Sequence, residues 1–163
     1  MVTGPLLTLE DVPAYVSQLR RRRKIIVSTN GTFDILHYGH VYYLQEAKKQ
    51  GDVLIVGVND DASVQALKGL ARPIVPAQER AQLLLAIRYV DAVVIFKETD
   101  PINFIAAVSP DVHVNGAEYG SDCIESDIVR RIGARLHLVP RQPCWSSTKA
   151  IEKILHAYTR ETD

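Results

Sequence analysis

The stretch STNGTFDILHYGHVYYL, residues 28–44, joins the end of an apolar, β-branched run to a segment of helical composition. We expect a buried strand to end near Gly31, because β-branched residues favour strands and glycine favours the turn that follows. His37 and His40 flank Gly39 at the start of the next helix. A helix start presents unpaired N–H groups and the positive end of the helix dipole, so this junction favours a phosphorylated ligand.

Short apolar runs alternate with helical segments along the rest of the chain. The runs of strand composition are KIIVSTN, DVLIVGV, DAVVIF, PDVHVNG and ARLHLVP. This alternation is typical of a parallel sheet covered by helices on both faces, so we predict an α/β, doubly wound, Rossmann-like fold. Folds of this class bind ligands beyond the carboxyl ends of their strands.

The length of 163 residues favours one domain that spans residues 1–163. Its core is expected at about residues 24–155, after an N-terminal helix at about residues 9–20 with Thr8 as its N-cap. No internal repeat, low-complexity tract or interdomain linker is evident in the sequence.

Composition argues against several classes of partner. The 19 basic and 19 acidic residues cancel, which does not indicate a nucleic-acid surface. No apolar run approaches the roughly 18 residues of a membrane span, and the N-terminus lacks the basic start of a signal peptide. With only Cys123 and Cys144 present, a reducing compartment is indicated. We therefore expect a cytoplasmic protein without nucleic-acid or membrane partners.

Further candidates for anion binding follow the other strands. Lys68 and Arg72 lie in a cationic segment after the second strand, which suits either phosphate binding or an ordinary solvated loop. Arg80 stands near a helix start, where a cation opposes the dipole and needs a bound anion or an ion pair. The hydroxyl-rich start of the last helix offers a second anion site. Its residues are Arg141, Ser146, Ser147 and Thr148.

Two alternatives concern the remaining polar residues. Residues 114–120, VNGAEYG, form either a simple tight loop or a close approach to a ligand, with Tyr119 able to stack on a ring. The two histidines of the first junction could also begin a zinc site. A third zinc ligand is not evident, because the cysteines are isolated and the other histidines are scattered.

GTFDILHYGH resembles the first signature of the cytidylyltransferase-like nucleotidyltransferases, whose His-x-Gly-His element follows a strand. WSSTKAIEKI is similar to their second signature, the Ser/Thr-rich helix start, and the resemblance spans about residues 6–155. Within this superfamily, residues 26–69 and the segment RPIVPAQERAQLLLAIRYVDAVVIF most resemble the D-glycero-β-D-manno-heptose 1-phosphate adenylyltransferases.

The resemblance implies direct attack of a sugar phosphate on the α-phosphorus of ATP, with release of pyrophosphate and without a covalent enzyme intermediate. It also implies Mg²⁺ with the nucleotide and a homodimer. The implied catalytic residues are His37, His40 and Lys68. The implied substrate-binding residues are Asp34 and Arg80. The implied nucleotide-binding residues are Gly31, Thr32, Phe33, Gly39, His40, Asn115, Gly116, Arg141, Ser146, Ser147 and Thr148.

Two departures leave the base and the acceptor open. Heptose adenylyltransferases usually carry lysine where this chain has Asn115. Arg141 and the segment IRYVDAVV are similar instead to glycerol-3-phosphate cytidylyltransferases. The alternatives are therefore a cytidylyltransferase that uses CTP and glycerol 3-phosphate or another polyol phosphate, and a non-catalytic nucleotide-binding module.

Overall fold

The computed structural model describes residues 4–140 and 146–159. The helices and strands of this part, in chain order, are β1 (Leu6–Leu7), α1 (Val12–Arg21), β2 (Ile26–Gly31), α2 (Tyr38–Lys48), β3 (Val53–Asn59), α3 (Asp61–Lys68), α4 (Ala77–Leu85), β4 (Ala92–Phe96), α5 (Ile102–Val108), β5 (Val112–Gly116), α6 (Ser126–Arg131), β6 (Arg135–Val139) and α7 (Ser147–Tyr158). A short 3₁₀ turn, Ala117–Tyr119, follows β5.

The six strands form one parallel sheet in the order β1-β4-β3-β2-β5-β6. From β2 the chain builds outward through β3 and β4 on one side, and β5 and β6 lie on the other side. The loops after neighbouring strands therefore diverge at β2, and such a switch point opens a crevice at the carboxyl edge of the sheet. The predicted doubly wound α/β fold is confirmed.

Two apolar cores cover the two faces of the sheet. Alternate strand residues point to opposite faces, so Val27 and Leu54 pack on one side with Leu44 of α2. Ile55 packs on the other side with Phe104 of α5. Strand β3 is buried along its whole length, as expected for a central strand with helices on both faces.

The N-terminal segment differs from the prediction in two ways. Leu6–Leu7 forms an edge strand that pairs with β4, whereas no strand was predicted for these residues. Helix α1 begins at Val12 rather than near residue 9. The carboxylate of Asp11 accepts hydrogen bonds from the backbone N–H and the hydroxyl of Thr8, at 3.1 and 2.6 Å. Thr8 and Asp11 thus form a turn before the helix, and Thr8 is not the N-cap.

The other predicted elements are present with small changes of boundary. Helix α2 ends at Lys48, three residues before Gly51. A Cβ at Gly51 would lie 2.8 Å from the carbonyl oxygen of Ile25, so a larger residue would collide with the start of β2. Within residues 4–140 and 146–159, no helix has the length and apolarity needed to cross a bilayer.

Candidate active site

A cleft of about 830 Å³ lies at the carboxyl edge of the sheet, beyond the ends of β2, β3 and β5. Most of the residues that the sequence proposed for a site share its wall. They are Gly31, Thr32, Phe33, Asp34, His37, Gly39, His40, Lys68, Asn115, Gly116, Ser146, Ser147 and Thr148. Arg80 does not line the cleft, and Arg141 lies outside the described residues. The topology thus gathers residues that are more than a hundred positions apart in the chain.

The two histidines cap helix α2 reciprocally. His37 is the N-cap, and its Nδ1 accepts a hydrogen bond from the backbone N–H of Gly39 at 3.1 Å. The Nδ1 of His40 accepts from the backbone N–H of His37 at 3.3 Å. The ring centroids are 3.9 Å apart. This arrangement is a capping box in which imidazoles replace the usual hydroxyl and carboxylate, so the site and the helix start depend on the same two side chains.

Burial favours the neutral form of the two rings, and these hydrogen bonds determine which nitrogen carries the proton. Burial lowers the pKa of His37. Burial, followed by the nearby His37 and Lys68, lowers the pKa of His40 to about 4, against a smaller opposing effect of Asp34. Both rings are therefore neutral near pH 7. A neutral imidazole whose Nδ1 accepts carries its proton on Nε2, so each ring has an Nε2–H donor that the capping box does not use.

Asp34 is fully buried, and its carboxylate is already engaged by the protein. It accepts from the backbone N–H groups of Ile74 and Val75, each at 2.9 Å, and from Nε of Arg72 at 2.7 Å. Burial by itself would raise the pKa of Asp34, but these two N–H groups and the Arg72 guanidinium lower it. The oxygens of Asp34 thus hold the loop between α3 and α4, and its expected contact with substrate stays a prediction.

Arg80 is also fully buried and has no exposed donor. Its Nε donates to the carbonyl of Val75 at 2.8 Å, its Nη1 to the carbonyl of Thr32 at 2.6 Å, and its Nη2 to Asp61 at 2.7 Å. An anion does compensate its unfavourable position near the start of α4, and that anion is the carboxylate of Asp61. Arg80 thus connects three segments behind the cleft, and its expected contact with substrate stays a prediction.

Two cations border the cleft on the β3 side. Lys68 ends α3 and has an exposed side chain. Partial desolvation, then the charge of Arg72, lowers the pKa of Lys68, while Asp34 opposes this effect. Only 14% of the Arg72 side chain is exposed, so this arginine is a fixed part of the wall and not a solvated loop residue. Its Nε holds Asp34, and the structure gives no bond from its Nη groups to a described residue.

The start of helix α7 also lines the cleft. Ser146 is its N-cap, and the hydroxyl oxygen accepts from the backbone N–H of Lys149 at 3.2 Å. The hydroxyl of Ser147 donates to the backbone carbonyl of Asp34. This bond joins the second helix start directly to the first junction. With that hydroxyl proton used, the unpaired backbone N–H groups at the start of α7 are the better donors to an anion.

The wall after β5 contains a residue that the sequence analysis missed. Glu125 lines the cleft but is only 6% exposed. The Nδ2 of Asn115 donates to Oε2 of Glu125 at 3.1 Å, and Oδ1 of Asn115 accepts from the N–H of Gly116 at 2.9 Å. No spacing rule singles out Glu125, because a charged residue just before an amphipathic helix usually faces solvent.

Metal binding by the protein alone finds little support in the part of the chain that the structure describes. Within residues 4–140 and 146–159, no three His, Cys, Asp or Glu side chains are grouped to hold an ion. His37 and His40 direct their Nδ1 atoms to backbone N–H groups. The zinc alternative therefore has no ligand set there.

Comparisons with known proteins agree with this geometry. The cytidylyltransferase-like family matches residues 28–154. A bifunctional protein HldE of Syntrophotalea carbinolica is 44% identical over 140 residues, which cover 85% of this chain and 29% of the relative. The chain thus spans less than a third of the length of that relative.

Two solved structures are also similar. A lipopolysaccharide core biosynthesis protein from Thermoplasma volcanium is 32% identical with a TM-score of 0.58, and the match covers 73% of this chain and 97% of that one. A pantoate-beta-alanine ligase from Francisella tularensis has a TM-score of 0.63 at 15% identity, with 98% and 81% covered, which shows a shared fold. The family match, the 32% identical structure and the capped His-x-Gly-His junction together show that the chain belongs to the cytidylyltransferase-like family of nucleotidyltransferases.

Proposed function

We propose that this protein transfers a nucleotidyl group from a nucleoside triphosphate to a phosphate oxygen of a small phosphorylated acceptor and releases pyrophosphate. The proposed nucleotide is ATP, and the proposed acceptor is D-glycero-D-manno-heptose 1-phosphate. One observation carries the reaction class: two neutral imidazoles present unused Nε2–H donors at the start of α2, beside the start of α7 and two cations. The choice of acceptor rests on the sequence resemblance to heptose phosphate adenylyltransferases and on the similarity to a lipopolysaccharide core biosynthesis protein.

The triphosphate would bind between the two helix starts. The N-termini of α2 and α7 both line the cleft, and the Ser147–Asp34 bond holds them together. Each offers backbone N–H donors and a positive dipole end, which favour phosphate oxygens. A nucleotide placed in this way extends its base and ribose along the β5 side, and the β3 side, with Lys68 and Arg72, is left for the acceptor phosphate.

The chemistry would need no protein nucleophile. An acceptor phosphate oxygen attacks the α-phosphorus, the bond to the bridging oxygen breaks, and pyrophosphate leaves with its electron pair. Catalysis then consists of positioning and charge stabilisation. The Nε2–H groups of His37 and His40 would donate to oxygens whose negative charge grows in the transition state. Neutral rings suit this role, because they donate hydrogen bonds without giving up a proton.

The cations on the β3 side would bring two negatively charged substrates together. Lys68 has a long, flexible side chain at the surface of the cleft, which suits it to follow the transferring and leaving phosphates. Arg72 is held by Asp34 and would act as a fixed partner of the acceptor phosphate. Mg²⁺ would enter with the triphosphate, whose oxygens are its usual ligands, and would neutralise part of its charge.

The test is pyrophosphate release from the purified protein with Mg²⁺. ATP, CTP and GTP are each combined with D-glycero-D-manno-heptose 1-phosphate and with glycerol 3-phosphate. Release with ATP and the heptose phosphate alone supports the full proposal. Release with CTP and glycerol 3-phosphate would support the reaction class but would show that these two compounds are the substrates in place of ATP and the heptose phosphate. Nucleotide binding without release in any combination would favour a non-catalytic module and overturn the proposal.

A further inference from the structure

The Glu125 carboxylate has an unusual position for an acidic side chain. It is 6% exposed, yet it lines the cleft where a polyanionic nucleotide is proposed to bind. A carboxylate removed from water needs donors to compensate for its lost hydration. Among the described residues, its hydrogen-bond donor is the neutral amide of Asn115. A carboxylate can accept about four hydrogen bonds, so this environment leaves acceptor capacity.

Ordinary structural roles do not account for this side chain. Glu125 is the N-cap residue of α6, but its side chain makes no capping hydrogen bond. No described Lys or Arg forms an ion pair with it. Asn115, which donates to the Glu125 carboxylate, is itself held by the N–H of Gly116. The amide is thus oriented by the backbone, and it fixes one carboxylate oxygen at the wall of the cleft.

The surroundings of Glu125 differ from those of the phosphate-binding region. The helix starts and the cations lie by β2, β3 and α7, whereas Glu125 follows β5. The lining of the cleft also includes Ile124, Val139 and Tyr119, which follow β5 in the chain and offer apolar surface. Because like charges repel, a carboxylate opposes phosphate binding and instead favours a neutral part of the ligand that carries N–H donors. Apolar walls around one acceptor are the usual features of a pocket for a flat heterocycle.

We propose that Glu125 selects the nucleobase by accepting a hydrogen bond from its exocyclic amine. This inference rests on the proposed nucleotide site and names the class of base it takes. Adenine and cytosine carry such an amine at the ring edge. Uracil and the corresponding edge of guanine carry a carbonyl, which would face the carboxylate with an acceptor. The site therefore prefers amino bases to oxo bases, whichever acceptor the enzyme uses.

A chemical double-mutant cycle tests this contact without turnover. Binding of Mg²⁺–ATP and of purine riboside triphosphate, which lacks the 6-amino group, is measured by calorimetry in wild type and in Glu125→Leu. CTP and its 4-deamino analogue form a second pair. A hydrogen bond to a charged group corresponds to about 10- to 100-fold in affinity. We expect wild type to prefer one amino nucleotide over its deamino analogue by this factor, and Glu125→Leu to show less than about threefold preference.

Two controls separate this contact from other causes. Asp122→Leu removes an exposed carboxylate of the same loop that does not line the cleft, and the preference should remain. Binding of 2′-deoxy-ATP to wild type and Glu125→Leu tests for a contact with the ribose. If Glu125→Leu removes the preference for the 2′-hydroxyl and not the preference for the amine, the inference is overturned. If Glu125→Leu does not fold, Glu125→Gln keeps the shape and an acceptor oxygen but removes the charge. It should then reduce the preference, because charge-assisted bonds are roughly twice as strong as neutral ones.

The results of these binding measurements can be distinguished from those of the pyrophosphate-release test. Amine preference that disappears in the variant, without pyrophosphate release, supports the role of Glu125 and overturns the transfer reaction. Pyrophosphate release with equal binding of amino and deamino nucleotides overturns the role of Glu125 and keeps the reaction. Absence of any nucleotide binding overturns both.

Discussion

The Asp34 carboxylate and the Arg72 guanidinium lie 2.7 Å apart, and their ion pair joins the loop after β2 to the loop between α3 and α4. The same carboxylate accepts from the N–H groups of Ile74 and Val75. Asp34 has no exposed surface in this structure, because its carboxylate is enclosed by these donors. The position of the Arg72 guanidinium at the cleft therefore depends on Asp34.

Asp34→Asn should lower both stability and turnover. The amide keeps the shape but offers one acceptor oxygen in place of two, and its NH₂ group would face N–H donors. We expect a loss of about 3 kcal/mol in the free energy of unfolding, measured with urea. Pyrophosphate release should fall at least about tenfold because Arg72 is displaced. Asp127→Asn is the control: this carboxylate is 94% exposed and pairs with Arg130, so stability should change by less than about 0.5 kcal/mol.

Substitutions of His37 should separate its capping role from its role in the site. His37→Ala removes the N-cap of α2 and should cost about 1 kcal/mol of stability, with a loss of turnover. His37→Asn restores a capping acceptor but provides no Nε2–H. We expect thermal unfolding to return close to wild type while pyrophosphate release stays low. Recovery of turnover along with stability would mean that His37 acts through the cap alone.

His40→Ala should affect catalysis more than nucleotide binding. The hydrogen bond from Nε2–H of His40 to a phosphate oxygen should become stronger as negative charge grows on that oxygen in the transition state. The kcat of the variant should therefore fall by about 10²- to 10³-fold. The Kd for the nucleotide, measured by calorimetry, should change by less than about threefold. A matched loss of affinity with unchanged kcat would instead assign His40 to ground-state binding.

The protein should lose stability between about pH 6.5 and pH 4 because of its buried histidines. Burial lowers the pKa of His113 to about 4, and its Nε2 is buried without a hydrogen-bond partner. The pKa of His113 is lower in the folded protein than in the unfolded chain, so the unfolded chain binds more protons in this pH range. The free energy of unfolding therefore decreases as the pH falls. His40 contributes in the same direction.

His113→Leu should reduce this pH dependence. Urea titrations of wild type and variant are compared at pH 8 and pH 5. The variant also carries Ser28→Ala, because Ser28 is the hydrogen-bond partner of His113 at 2.8 Å. At pH 8 His113 is neutral in both the folded and the unfolded protein, so the difference measures packing and the lost hydrogen bond with Ser28. Between pH 6.5 and pH 4 the free energy of unfolding should change less steeply with pH in the variant than in wild type. The two slopes should differ by at most about 1.4 kcal/mol per pH unit, the contribution of one titrating group. An unchanged slope would show that His113 does not titrate on unfolding.

Arg80→Lys should destabilise the protein without a selective effect on substrate binding. Lysine cannot donate at once to Val75, Thr32 and Asp61, as the buried guanidinium does. We expect a loss of about 2 to 3 kcal/mol, by the usual size of hydrogen bonds to charged groups. Arg88→Lys, at an exposed arginine just after the same helix, should be neutral. A large rise in acceptor KM with unchanged stability would return Arg80 to a direct substrate role.

The sequence by itself determined the architecture and the place of the site. Continuous β-branched runs such as β3 can be stable only when helices cover both faces, and alternation with helical segments makes the sheet parallel. The ligand then lies at the carboxyl edge, where the junction with His37 and His40 occurs. These are local signals, because strand composition, helix capping and a three-residue spacing are all contained within a few neighbouring positions.

Only the tertiary structure decided how the polar residues around that cleft are paired and buried. Asp34 and Arg80 have the sequence appearance of ligand-binding residues, but each meets its partners about 20 to 50 positions away and is buried by them. Glu125 has the appearance of a solvated residue, but packing places it against Asn115 in the wall. The β1 edge strand likewise forms because β4 offers it a pairing edge. Burial and partner choice arise from contacts distant in sequence, and the free energy of a buried charge depends on those contacts rather than on its neighbours in the chain.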